Sequence, residues 1–152
     1  MATVTIMNVV DAIEATLGAA TGIVRSESMD ELSEGTPDLP LLQVYWSGLT
    51  VSLDSETDVF GFGDASNQPI RHYQHRIFVD ILASARSHLD QDYEAIATTA
   101  EAVITVLDSE NAPPYFGQAG IKAFSYTAEA IGWEDTEPII VGERFIIMVH
   151  LF

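Results

Sequence analysis

The sequence predicts an α+β fold: a largely antiparallel sheet with two main helices packed on it. Three observations lead there. Tyr93, Ile96, Ala100, Val103 and Leu107 recur at helical spacing and mark the clearest amphipathic helix in the chain. Ile6, Val9, Val10, Ile13 and Leu17 mark a second helix near the N-terminus. Between and after them run alternating apolar and polar segments, in the order helix, several strands, long helix, two strands, with no internal repeat.

The first helix is capped by Thr5 or Thr3 and ended by Gly18 or Gly22. Gly22 to Arg25 reads as a short strand. Ser26 to Pro40, rich in Ser, Asp, Glu, Gly and Pro, reads as a connection with one helical turn at Met29 to Leu32. Leu41 to Trp46 is apolar on both alternate sets, the pattern of a central strand covered on both faces. Ser47-Gly48 then turns the chain into a half-exposed strand with Leu49, Val51 and Leu53 on one side.

Asp54 to Pro69, DSETDVFGFGDASNQP, has no period and reads as a long loop. In it Phe60 and Phe62 interleave with Gly61 and Gly63, and aromatics in such a loop need a surface to rest on. Ile70 to Ala83 is a strand long enough to project beyond the sheet. Tyr73, Ile77, Val79 and Ile81 share one alternate set with Arg71 and His75; Gln74, Arg76 and Asp80 form the other.

Ser87, with Asp90 three residues on, starts the long helix, and Asn111 with Pro113-Pro114 stops it. Tyr115 to Gly120 is a loop. Ile121 to Trp133 alternates weakly through Phe124, Tyr126 and Ile131. Glu134 to Pro138 is a turn, and Ile139 to Phe152 places Phe145, Ile147, Val149 and Leu151 on one face. These last two strands should form a hairpin.

At 152 residues and 16.6 kDa the chain fits one domain, residues 1–152 with a long loop at 54–69. A hydrophobic fraction of 47% and a mean hydropathy of +0.17 place it among folded proteins. Six basic residues against 23 acidic ones give a formal charge of −17. That balance lacks the basic footprint of a nucleic-acid binder, and an anionic membrane surface would repel it. The lack of cysteine removes disulfides, thiol catalysis and Cys-ligated zinc. The start has no basic n-region, Asp11 and Glu14 interrupt its apolar residues, and the run Phe145 to Val149 is too short to span a bilayer. A protein made and folded in the cytoplasm is expected. With Lys122 as the sole lysine, the acidity fits either a salt-rich setting that screens it or acids gathered on one surface.

No chemistry-bearing motif is complete. Asp54, Glu56 and Asp58 have the spacing of a calcium loop, but Val59 stands where glycine is needed and Ala65 where the closing glutamate belongs. Gly61-Phe62-Gly63 opens like a phosphate loop but lacks the third glycine and a nearby lysine. His72 and His75 fall on opposite faces of a strand, and His88 and His150 are isolated. The serines lack a nucleophile-elbow setting, and no matched carboxylate pair stands out. The expectation is therefore no enzyme, no cofactor and no metal. The loop aromatics, long strand and terminal hairpin point instead to contacts between subunits.

The segments VTIMNVVDAIEATL, LPLLQVYW, FGFGDASNQPIR running into RHYQHRIFVDILA, DYEAIATTAEAVITVL and VGERFIIMVHLF together resemble the tail terminator and related tail-completion or neck proteins of long-tailed bacterial and archaeal viruses. The resemblance covers nearly the whole chain as an order of elements. It implies a structural virion protein, assembled in the host cytoplasm, forming a six-copy ring in the tail or neck. Such a ring ends tube polymerisation and joins the tail tube protein to the head–tail connector. Phe60 to Arg71 looks like the family's arm reaching a neighbour. This makes Phe60, Phe62, Asn67, Arg71 and Arg76 candidates for a subunit or tail-protein interface. Six copies would carry about −100 in all, a repulsion felt over a Debye length of ~8 Å at physiological salt. Closure should then strengthen with salt, with Arg25, Arg71, Arg76, Arg86 and Arg144 pairing with acids at interfaces. DNA should pass without specific binding through a neutral or negative lumen, for which Asp54, Glu56, Asp58, Glu134, Asp135 and Glu137 are candidates. A head-side adaptor or stopper, a stand-alone acidic binding domain from a salt-adapted cell, and a small enzyme are the other readings.

Overall fold

The computed structural model describes residues 5–28, 40–53, 71–85, 89–133 and 140–151. The elements are α1 (Ile6–Gly18), β1 (Arg25–Glu27), β2 (Leu41–Leu53), β3 (Arg71–Ala85), α2 (Leu89–Ser109), a 3-10 turn at Tyr115–Gly117, β4 (Ile121–Trp133) and β5 (Ile140–Leu151). The five strands make one sheet in the order β1-β2-β3-β5-β4, antiparallel throughout except for the short parallel pair β1–β2. The fold is α+β, with a mostly antiparallel sheet and two helices.

Alternation decides which face the helices cover. Leu42 and Val44 of β2, Ile77, Val79 and Ile81 of β3, and Phe145, Ile147 and Val149 of β5 are all buried and share one face. Against them lie Val9, Val10, Ile13 and Leu17 of α1 and Val103 and Leu107 of α2, in one continuous core. Each fully buried aliphatic or aromatic side chain contributes about 1.5–3 kcal/mol, so this face dominates the stability. The side chain of Tyr93 lies outside the described residues.

Thr5 caps α1: its hydroxyl oxygen accepts from the backbone N–H of Asn8 at 3.2 Å. At the other end of the helix, Gly18 is a packing requirement. A Cβ there would stand 2.5 Å from Ser26 Oγ and 2.8 Å from Ser26 Cβ, where β1 crosses the last turn. Alanine would gain about 0.5–1 kcal/mol of helix propensity, but forcing apart two packed elements costs about 1–3 kcal/mol. Gly18→Ala is therefore expected to be a net loss of ~1 kcal/mol or more, read as a lower urea-unfolding midpoint; a raised midpoint would contradict the close packing.

Two elements differ from the sequence-based expectation. The first short strand is Arg25–Glu27 rather than Gly22 to Arg25. Glu27 is only 1% exposed, and its carboxylate is held by Arg25 Nε at 2.9 Å and Gln43 Nε2 at 3.3 Å, so an acidic residue occupies a strand position that hydropathy alone rejects. Ser47-Gly48 is not a turn. β2 runs unbroken through it, paired with β3 on both sides, and the register shifts between Trp46 and Gly48. Gly48, at φ 152°, lets the chain take in the extra residue as a bulge. The Met29 to Leu32 turn, the capping by Ser87 and the Glu134 to Pro138 turn lie outside the described residues. The helix α2 ends at Ser109, ahead of the two prolines, and β4 and β5 form the expected hairpin.

Candidate assembly surface on the sheet

Among the described residues, neither helix covers the far halves of β2 and β3. Trp46, Leu49, Val51 and Tyr73 lie on the helix-side alternate set, since Trp46 pairs with Ile77, Leu49 with His75 and Val51 with Tyr73. All four are between 40% and 49% exposed. The bulge creates this strip: without it Leu49 and Val51 would fall on the opposite face from Trp46. Four large apolar side chains stand side by side here in an acidic chain, the kind of patch that marks a candidate contact surface.

His75 sits within the strip. Trp46 Nε1–H donates to His75 Nδ1 at 3.2 Å, and the rings lie 6.5 Å apart. Partial burial holds the imidazole below its ordinary value of 6.5. The neutral form is thus the one the fold prefers, so its contribution is present above about pH 6.5 and lost as pH falls through the lowered value. Protonation also removes the lone pair that accepts from Trp46. In a Trp133→Phe background, Trp46 fluorescence should change in one step below pH 6.5, and His75→Ala should abolish that step. An unchanged titration in His75→Ala would contradict the contact.

The opposite face of the sheet carries a polar knot. Asp80, Arg144 and Glu129 are neighbours across β3, β5 and β4. Arg144 Nε donates to Asp80 Oδ1 at 2.7 Å and Nη2 to Oδ2 at 3.1 Å, a bidentate pair. The Tyr45 hydroxyl donates to Asp80 Oδ2 at 2.6 Å and accepts from Arg144 Nη2 at 3.2 Å. The guanidinium stacks 4.4 Å from the Phe78 ring centre, and Tyr45 meets Phe78 edge-on at 5.7 Å. Burial, then the bond to Asp80, pushes the Tyr45 phenol well above its ordinary range; the bond to Asp80 raises the Arg144 guanidinium further. Both groups stay in one protonation state near neutrality. Such a knot ties β2, β3 and β5 together on this face.

Of the residues expected at interfaces, Arg76 is exposed on this face, donating to the Ser47 carbonyl at 3.3 Å with its guanidinium 5.7 Å from Phe78. Arg71 opens β3, and its side chain lies outside the described residues. Phe60, Phe62, Asn67 and Arg86 lie outside them too, as do the lumen candidates Asp54, Glu56, Asp58, Glu134, Asp135 and Glu137, the calcium-like spacing and the Gly-Phe-Gly segment. Two other arginines expected at interfaces are engaged inside the subunit: Arg144 with Asp80 and Arg25 with Glu27. A buried carboxylate attracts the nearest guanidinium before any partner arrives.

Charge is unevenly spread. The five strands hold four of the 23 acids, Glu27, Asp80, Glu129 and Glu143, and five of the six bases, Arg25, Arg71, Arg76, Lys122 and Arg144. The helix α2 alone carries Asp90, Asp92, Glu94, Glu101 and Asp108 with no base. The sheet is close to neutral while the acidity lies elsewhere.

Among the described residues, no three His, Asp or Glu side chains gather as metal ligands, and no helix is long and apolar enough to cross a membrane. The chain matches no protein-family profile and no curated protein.

Proposed function

We propose that this chain is a structural subunit that assembles with copies of itself into a ring, in the manner of the viral tail terminator and neck proteins it resembles. The observation that supports this reading best is the apolar strip Trp46, Leu49, Val51 and Tyr73, exposed on β2–β3 beyond the described helices. A surface of this kind is stable in water when another surface covers it, and a ring covers it on every copy at once. Its place in a virion, between tail tube protein and head–tail connector with DNA passing through, is the setting that the resemblance implies. The polar knot around Asp80 is consistent with a rigid building block.

Native mass measured across a salt series tests the reading. With −17 on each copy, the closed oligomer should gain population as salt rises and the acids are screened. A chain that stays monomeric at high concentration in high salt would overturn it. Assembly that weakens steadily with salt would show attractive ion pairs at the interface and overturn the electrostatic part alone.

A further inference from the structure

We infer that copies join head to tail, the outer edge of β2 on one copy pairing antiparallel with the outer edge of β4 on the next, so that one sheet continues from subunit to subunit. This rests on the reading of the chain as a self-assembling subunit and adds the contact that builds the assembly.

The sheet offers two long edges. β1 pairs with β2 only from Leu41 to Gln43, and among the described residues no strand pairs with that side of β2 from there to Leu53. β4, thirteen residues long, has no described partner on its outer side. An edge of this length presents a row of backbone N–H and C=O groups, and proteins that stay monomeric usually blunt it with charge, proline or a covering element. Among the described residues the blunting is limited to the bulge in β2 and the register shift at the start of β4. β2 contains no charged residue, and β4 contains one lysine and one glutamate, in a chain of net charge −17. These two strands are where copies can approach with least repulsion.

Direction and shape agree. β2 is antiparallel to β3, β3 to β5 and β5 to β4, so β2 and β4 run in opposite directions. Rotating one copy about an axis along the strands therefore sets its β2 antiparallel beside the first copy's β4, with every helix on the same side of the joined sheet. Such a contact uses two different surfaces, and it closes into a ring when the rotation divides the circle. On the helix side, with no shift along that axis, Leu49 stands level with Phe124 of the neighbour's β4 and Trp46 level with Tyr126, so apolar and aromatic side chains meet there. The apolar strip would then be covered by the neighbour.

The lack of native cysteine makes disulfide trapping clean. Thr50 on β2 and Ala123, Ser125, Thr127 and Glu129 on β4 are exposed, and all lie on the face away from the helices. Directly opposed residues in an antiparallel pair stand ~4.5–5.5 Å apart at Cβ, close to what a disulfide spans. Thr50→Cys would be combined in turn with cysteine at each of the four β4 positions, oxidised and sized under denaturing conditions, with native mass in parallel. The expected result is a covalent ladder from at least one double variant, while the single variants stay uncrosslinked. Mixing two complementary single variants should give covalent dimers and nothing larger. Oligomers of normal size with no crosslink from any pair, or single variants that crosslink to themselves, would overturn the head-to-tail contact while leaving self-assembly intact. A monomer under all conditions would overturn both.

Discussion

Replacing Arg144 with methionine is expected to cost about 3 kcal/mol of folding stability, among the largest losses available from one side chain outside the apolar core. Asp80 is 2% exposed, and Arg144 supplies two of the three hydrogen bonds described on its carboxylate. Methionine keeps an unbranched chain but removes the guanidinium, with its bonds to Asp80 and Tyr45 and its stacking on Phe78, so the buried carboxylate is left with Tyr45 alone. For a chain of this size it corresponds to a fall of ~6–12 °C in Tm. Adding Asp80→Leu to Arg144→Met should recover most of the loss, because removing both charges also removes their desolvation cost. Urea unfolding of the two single variants and the double variant gives the coupling energy directly. Additive losses would mean that the two residues act independently, against the 2.7 Å contact.

Substituting both Trp46→Ala and Leu49→Asp should weaken assembly by at least ~100-fold, about 2.7 kcal/mol, while the monomer stays folded. The separation follows from burial: both side chains are more than 40% exposed in the subunit and lie outside its buried core, so replacing them costs the fold less than a core substitution would. In the assembly the tryptophan would be an anchor and the leucine its neighbour. An aspartate among them adds charge to a chain already at −17. Sedimentation reads the association, and circular dichroism melts of the dilute protein read the fold. Unchanged assembly would remove the strip from the interface; unfolding together with loss of assembly would make it part of the core.

Periodic elements were legible from sequence where one physical term dominates. The helix α1 shows its apolar stripe in the sequence, with a cap at Thr5 or Thr3 and an end at Gly18 or Gly22; the structure has the stripe buried, the cap at Thr5 and the last helical residue at Gly18. The β4–β5 hairpin is visible because Phe145, Ile147 and Val149 alternate without interruption. Misreadings arose where two structures share a pattern. In β2 the apolar phase passes from Leu42, Val44 and Trp46 to Leu49 and Val51, a jump by one residue that a turn and a bulge produce alike; only pairing with β3 distinguishes them. Glu27 in β1 escapes hydropathy because its partners, Arg25 and Gln43, are set by the fold.

The candidate surface was less visible. Of the expected contact residues, Phe60, Phe62 and Asn67 lie in the segment at 54–69, while Arg71 and Arg76 lie on β3, one of the two strands that carry the strip. One signal existed: Leu41 to Leu53 is the longest stretch without a charge among the strands, and it is free of the acids that crowd the rest of the chain. The Asp80–Arg144 pair spans 64 positions, a separation that no local pattern can report. Asp80 does stand as a lone charge amid apolar neighbours, FVDIL, and Arg144 follows Glu143 at the head of the apolar run FIIMV; opposite charges set among such neighbours can pair across a sheet.

Electron microscopy of the purified chain in high salt tests the ring most directly. Annular particles with a central hole, six-fold in their averages, are the expected result. Compact particles without a hole, or dispersed single subunits under conditions that screen the −17 charge, would contradict it.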